Sequence, residues 1–178
     1  GDLSRQEAGQ SQLAAVQQDG CRNCTFFIFD ITANVYVDEC DSCTIFIAPC
    51  ESTVFLRDCK NLRVVAATKQ FRVRDCFDCQ VGLYCPSQPV IESSKGMLIA
   101  PFPQLGYPQL LEQFKKSKME VWNNHWSEIH DFTKKAGEQH LELKASIPFE
   151  LMEEGLEEAE LEPSSEVVPK TVGQMHQD

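Results

Sequence analysis

Two sets of residues have types and spacings that point to chemistry. The first is cysteine. Cys21 and Cys24 form one Cys-x-x-Cys pair, and Cys40 and Cys43 form another after fifteen residues. Four thiolates at that spacing match a tetrahedral zinc site. The same thiols would serve as redox pairs or, reduced and buried, as small apolar groups. All nine cysteines fall between Cys21 and Cys85, an odd number with no charged and apolar leader ahead of them. They are therefore expected as reduced thiols in a cytosolic setting.

The second set is the run Lys69-Gln70-Phe71-Arg72-Val73-Arg74-Asp75. Its alternation places Phe71 and Val73 inward on a strand and turns Gln70, Arg72 and Arg74 outward. An arginine on such a strand could be a solvated or salt-bridged surface group. It could instead be a presented guanidinium that neutralises charge at a phosphoryl-transfer transition state in a partner. An independent hydrolase finds little support. His125, His130, His140 and His176 all lie beyond the cysteine-rich region, and no Gly-x-Ser-x-Gly, Walker A or His-Glu-x-x-His pattern occurs. His130-Asp131 reads more simply as a capped turn than as a catalytic pair. No nucleotide site, no cofactor and no metal is expected of the chain itself.

Charge and length narrow the classes. The chain has 178 residues, room for one domain with tails. Its net charge is −11, and eight Glu with no Lys or Arg between 148 and 166 account for −8 of that. Without clustered Lys and Arg, nucleic acid is not expected as the main partner. No apolar run approaches the length of about 18 residues that a spanning helix needs. Gly1 is followed by Arg5 where N-myristoylation asks for Ser or Thr, so no membrane anchor is recognisable. The chain starts without Met, which leaves an upstream segment open. A cytoplasmic location is expected, or a membrane-associated or ciliary-base one where an anchor precedes this sequence.

The elements that position these residues come from a repeat. Cys21, Cys40, Cys59 and Cys76 recur at spacings of 19, 19 and 17, and a fifth copy begins 18 further on at Ser94. Each copy has a turn-like start, a β-rich strand, a break and a second strand ending on an acidic residue. Inward columns run Cys24, Phe26, Ile28; Cys43, Ile45, Ile47; Leu62, Val64, Ala66; and Cys79, Val81, Leu83. The second strands align Val35 and Val37 with Val54 and Leu56, and then with Phe71 and Val73. One copy cannot bury its inward face alone, whereas copies stacked about 4.8 Å apart can. The fold expected is all-β, a parallel β-helix of 17–19-residue rungs over roughly 12–105. The register also settles how the cysteines read. Leu62 and Met97 occupy the column of Cys24, Cys43 and Cys79, so the position asks for an apolar group. A buried thiol ladder is expected, with zinc and redox chemistry as the alternatives. In the second strands the register sets Arg57 and Glu92 on either side of Arg74.

Beyond the rungs, PQLLEQFKK (108–116) fits a short amphipathic helix with Leu111 and Phe114 on its apolar face. The aromatic stretch to Phe132 is expected to pack back on the solenoid and cover the outward Phe27, Phe46 and Val65. The expected division is a flexible N-terminus (1–11), the β-helix domain with its packing segment 106–133 (12–133), and an acidic, mobile tail (134–178). A short helix in the Glu run is allowed for.

Several separated motifs, in order, carry a resemblance. The cysteine-rich rungs, QFRVRDC at 70–76, QPVIESS at 88–94 and WNNHWSEIHDF at 122–132 resemble the C-CAP/cofactor C-like domain family over about residues 20–133. The resemblance implies a right-handed parallel β-helix. It also implies a GTPase-activating protein that supplies an arginine finger in trans to an Arf-like small GTPase of the Arf-like 3 type, in its GTP-bound form. The finger would be Arg72. Gln70, Arg74, Glu92 and Phe132 would contact the GTPase, as would Lys69, which stands where the family motif has Gln. GTP and magnesium would be carried by the partner. The alternative is a non-catalytic module of the same family that binds tubulin or a ciliary assembly. Actin binding, known for more remote relatives, has no selecting feature here.

Overall fold

The computed structural model describes residues 13–160 and 173–177. Within them the chain winds as a parallel β-solenoid of about five turns. Its strands are β1 (Ala15–Asp19), β2 (Cys24–Ile28), β3 (Thr32–Asp38), β4 (Thr44–Arg57), β5 (Arg63–Arg74), β6 (Gln80–Tyr84), β7 (Val90–Glu92) and β8 (Met97–Pro101). Helix α1 (Leu110–Lys116), β9 (His130–Asp131), β10 (Leu141–Leu143), α2 (Glu150–Glu160) and β11 (Gly173–Gln177) follow. One stack runs β2, the front of β4, the front of β5, β6, β8, β10. The other runs β1, β3, the back of β4, the back of β5, β7, β9. All these pairings are parallel; β11 adds to β2 antiparallel. A line of single bridges, Arg22–Asp41–Lys60–Phe77–Lys95, closes each turn. The register matches the repeat reading: Phe26, Ile45, Val64 and Val81 stack in one column, and Val35, Val54 and Phe71 in another. Every one of these is buried. No helix among the described residues is long and apolar enough to cross a membrane.

Each turn closes through two residues in the left-handed backbone region, three apart. They are Gly20 and Asn23, Glu39 and Ser42, Asp58 and Asn61, Asp75 and Asp78, and Ser93 and Gly96, with φ between 51 and 69°. Asn, Asp and Gly tolerate this region best, which is why the turns are rich in them. At Gly96 a Cβ would also overlap the Asp78 carboxylate. Each left-handed residue is followed by a ladder residue that points inward. The thiols there donate to the carbonyl two residues back: Cys40 to Asp38 (3.4 Å), Cys59 to Arg57 (3.1 Å) and Cys76 to Arg74 (3.4 Å). In the fifth turn Ser94 takes this place, and its hydroxyl donates to the Glu92 carbonyl at 3.0 Å. The first ladder position of each turn thus takes a small donor, whereas the second, which also accepts Leu62 and Met97, takes any apolar group. The nine cysteines form no disulfide. Burial pushes the Cys50 and Cys85 thiols up from their ordinary range.

Outside the solenoid three expectations are revised. In α1 the buried pair is Leu110 and Phe114, one turn apart, while Leu111 is 61% exposed. The roll of the helix is set by Gln113, whose amide donates to the Phe29 carbonyl at 2.6 Å and whose Oε1 accepts from Tyr107. The outward Phe27, Phe46 and Val65 are covered mainly by Tyr107, α1, Ile147, Phe149 and α2, rather than by the aromatic stretch. That stretch packs elsewhere. Asn124 accepts from the Cys85 amide (2.8 Å) and donates to the Leu83 carbonyl (3.1 Å), finishing the end of β6. Trp126 and Ile129 lie against the inner core, and Trp122 faces outward. Finally, residues 134–160 are packed where a mobile acidic tail is expected. β10 extends the first stack beyond β8, and Phe149, Met152 and Leu156 are buried on the solenoid. The abundant Glu hid an apolar stripe at i, i+3 and i+7. The expected flexible N-terminus (1–11), residues 161–172 and Asp178 lie outside the described residues.

Candidate functional site

The outward side of the second stack gathers nearly all of the sequence-predicted site residues. Parallel pairing repeats the same outward position from strand to strand, so residues a full turn apart become neighbours. One such row is Tyr36, Phe55, Arg72, Val90 and His130; the next is Asp38, Arg57, Arg74 and Glu92. Gln70 sits beside Thr53, whose hydroxyl donates to its Oε1 at 3.1 Å. The backbone amide of Phe132 donates to the Ile91 carbonyl at 3.0 Å, which carries Phe132 to the end of the row of Glu92. Its ring is 59% exposed and meets His130 edge-on, centroids 4.4 Å apart. Lys69 lies where β5 bends from the first stack to the second. Its carbonyl accepts from Ser87 Oγ at 2.5 Å. Gln70, Arg72, Arg74, Glu92 and Phe132 thus share one face, with Lys69 at its margin.

The arginines are not equivalent. Arg57 donates from Nε and Nη2 to the two Asp38 oxygens at 2.6 and 2.8 Å, and Gln17 donates to Asp38 at 2.6 Å. The Arg57 guanidinium holds the Asp38 carboxyl below the usual carboxylate range, and Asp38 raises Arg57 in return. Among the described residues, the ion pair of Arg74 is a long one, 3.8 Å, with Asp75. Arg72 is exposed and forms no ion pair among the described residues. Glu92 is in register with Arg74, yet no ion pair among the described residues joins it to Arg72 or Arg74. The contact that unites the cluster is Phe55, whose ring lies against all three guanidinium groups.

Sequence reasoning did not single out Phe55 or Asp38. Both were legible in the repeat: Asp38 precedes Arg57 by one 19-residue turn, and Phe55 precedes Arg72 by one 17-residue turn. It also missed His140. His130 and Asp131 form β9 rather than a turn, and Asp131 caps the turn that follows, its Oδ1 accepting from the Thr133 amide at 3.0 Å. The side-chain partner of Asp131 Oδ2 is the imidazole of the buried His140, whose Nδ1 lies 2.5 Å away. Among the described residues no group of three or more His, Cys, Asp or Glu is placed to hold a metal ion.

A short-runged parallel solenoid with an outward arginine row and an appended helical cover defines the class. A family model, tubulin binding cofactor C, matches residues 13–132, and the chain belongs to that family. Among curated relatives, Protein XRP2 (the retinitis pigmentosa 2 protein) of Homo sapiens is 52% identical over 143 residues, covering 80% of this chain and 39% of that protein. Protein XRP2 of Danio rerio is 54% identical over 123 residues, covering 69% of this chain and 32% of that protein. The chain thus spans well under half the length of these relatives. Tubulin binding cofactor C from Leishmania major has a similar solved structure, with TM-score 0.58 and 21% identity, covering 76% of this chain and 89% of that one. That likeness shows the fold.

Proposed function

We propose that this chain activates GTP hydrolysis by an Arf-like small GTPase of the Arf-like 3 type, inserting Arg72 as an arginine finger. The observation that carries the reading is Arg72 itself: exposed, without an ion pair among the described residues, and mounted on a strand paired on both sides. A transferred phosphoryl group spreads negative charge over its oxygens, and a positioned guanidinium stabilises that charge. Gln70, Arg74 and Glu92 flank Arg72 and would dock the polar switch surface. Phe132 would fill an apolar pocket on the GTPase, and Lys69 would meet phosphate or an acidic switch residue. GTP and magnesium belong to the partner.

Single-turnover hydrolysis by a GTP-loaded Arf-like 3 GTPase, with wild type and Arg72→Ala, tests the reading. Arginine fingers are worth roughly 10³–10⁵ in rate. Wild type should accelerate hydrolysis, and Arg72→Ala should lose nearly all of that while still binding the GTP-bound partner. Full acceleration by Arg72→Ala would sink the mechanism.

A second reading, a non-catalytic tubulin-binding module, is supported by membership of the tubulin binding cofactor C family. It expects binding to tubulin, no rate effect on the GTPase and no dependence on the partner's nucleotide. Co-sedimentation with tubulin separates the two readings.

A further inference from the structure

We propose that Phe55 is a positioning residue for Arg72, its phenyl face holding the outward guanidinium in place before any partner arrives. The guanidinium carbons of Arg57, Arg72 and Arg74 lie 5.2, 5.6 and 5.7 Å from the centroid of the Phe55 ring. Phe55 and Arg72 are direct partners across β4 and β5. Arg57 is two residues along the same face of β4, and Arg74 lies on the diagonal. A cation is drawn to the negative face of an aromatic ring. Asp38 already fixes Arg57 through two bonds, and Asp75 approaches Arg74. For Arg72, the ring is the cation-binding contact that the described residues supply.

The consequence concerns entropy and direction. A free arginine side chain samples many rotamers and gives them up when it reaches a phosphate. Holding it against a ring beforehand removes part of that loss. Asp38 keeps Arg57 drawn toward β3, so the three like charges share one ring without Arg57 competing for the outward position. Leucine at position 55 would cover a similar strand surface but has no π face. Phe55 is half-buried, and the core is carried by its inward neighbours Val54 and Leu56, so the substitution is a surface change.

The inference rests on the arginine-finger reading for its catalytic half only, and two measurements keep the halves apart. The first uses the free protein: ¹⁵N-edited spectra and relaxation of the arginine Nε–H groups in wild type, Phe55→Leu and Phe55→Tyr. The Arg72 proton should be displaced upfield by the ring current and restricted in motion in wild type and Phe55→Tyr. In Phe55→Leu it should return to an unshifted position and become mobile. The second is single-turnover GTP hydrolysis with the same proteins, their unfolding midpoints confirming that each is folded. Phe55→Leu should lower the maximal accelerated rate about two- to fivefold, the factor a cation–π contact of ordinary strength supplies. The half-saturating concentration should not move, and Phe55→Tyr should restore the rate. An Arg72 resonance and mobility unchanged in Phe55→Leu overturns the proposal. If they change and wild type accelerates nothing, the positioning stands and the finger reading fails. If they change and Phe55→Leu keeps the full rate, positioning has no catalytic consequence and the proposal is overturned.

Discussion

Cys59 and Ser94 occupy equivalent places two turns apart, and each donates to the carbonyl two residues back. A hydroxyl can therefore stand in for the thiol, while a branched hydrocarbon cannot. Cys59→Ser should stay within about 1 kcal/mol of wild type in urea unfolding, whereas Cys59→Val should lose about 1–3 kcal/mol. Equal losses would mean that the donor is irrelevant. Asp38 is a second case. Its carboxyl is held low by Arg57 and then, more weakly, by Gln17. A group depressed in the folded state stabilises above its unfolded value, near 3.9 for an aspartate, and loses that stabilisation as pH falls through the folded value. Asp38→Asn should therefore destabilise at pH 7 and progressively less toward pH 3. A gap between the two proteins that does not narrow in acid would contradict the pairing.

Among the elements, α2 offers a test through the sign of an effect. Gly155 lies inside the helix, where alanine would ordinarily be favoured by about 1 kcal/mol. Here an added Cβ would run into the Phe27 ring. Gly155→Ala should lower the thermal midpoint, at a net cost of about 1–3 kcal/mol. A raised midpoint would show that α2 does not dock against Phe27. The strands were legible in the sequence because a 17–19-residue period and a two-residue alternation reinforce each other at every turn. The arginine row was legible for the same reason, since register alone places Arg57, Arg74 and Glu92 side by side. The covering elements were not. Their positions depend on single anchors, such as Gln113 on the Phe29 carbonyl and Asn124 on Cys85, that no periodicity announces. Phe55 escaped because an aromatic in an outward column looks like ordinary surface until its cationic neighbours are placed.

For the molecule as a whole, the liability of a solenoid is its open ends and any uncovered outer face. β9 and β10 extend the last turns, while α1 and α2 cover the outward phenylalanines. A chain ended at 133 keeps the arginine face but loses β10, Phe149, Met152 and Leu156. It should self-associate and unfold at lower temperature than the full chain, as light scattering coupled to size-exclusion chromatography would show. A monomer of unchanged thermal midpoint would restore the view of that segment as a dispensable tail.

The left-handed corners bear on where this scaffold can change. Asp38, Arg57, Arg74 and Glu92 each stand two residues before the ladder residue that opens the next turn, at Cys40, Cys59, Cys76 and Ser94. Turn length nevertheless varies, and the β4–β5 ladder takes up the slack in its bends, between Ile47 and Thr53. The outward row is thus indexed from the corner downstream of it, like a ruler read from one end. Residues gained or lost in the bend near Cys50 or Lys69 would reshape the margin of the site and leave Arg72 aligned. One residue gained between Arg74 and Cys76 would exchange inside for outside along the strand and swing the arginines into the core. The site can accordingly be retuned from its Lys69 side and is locked from the other.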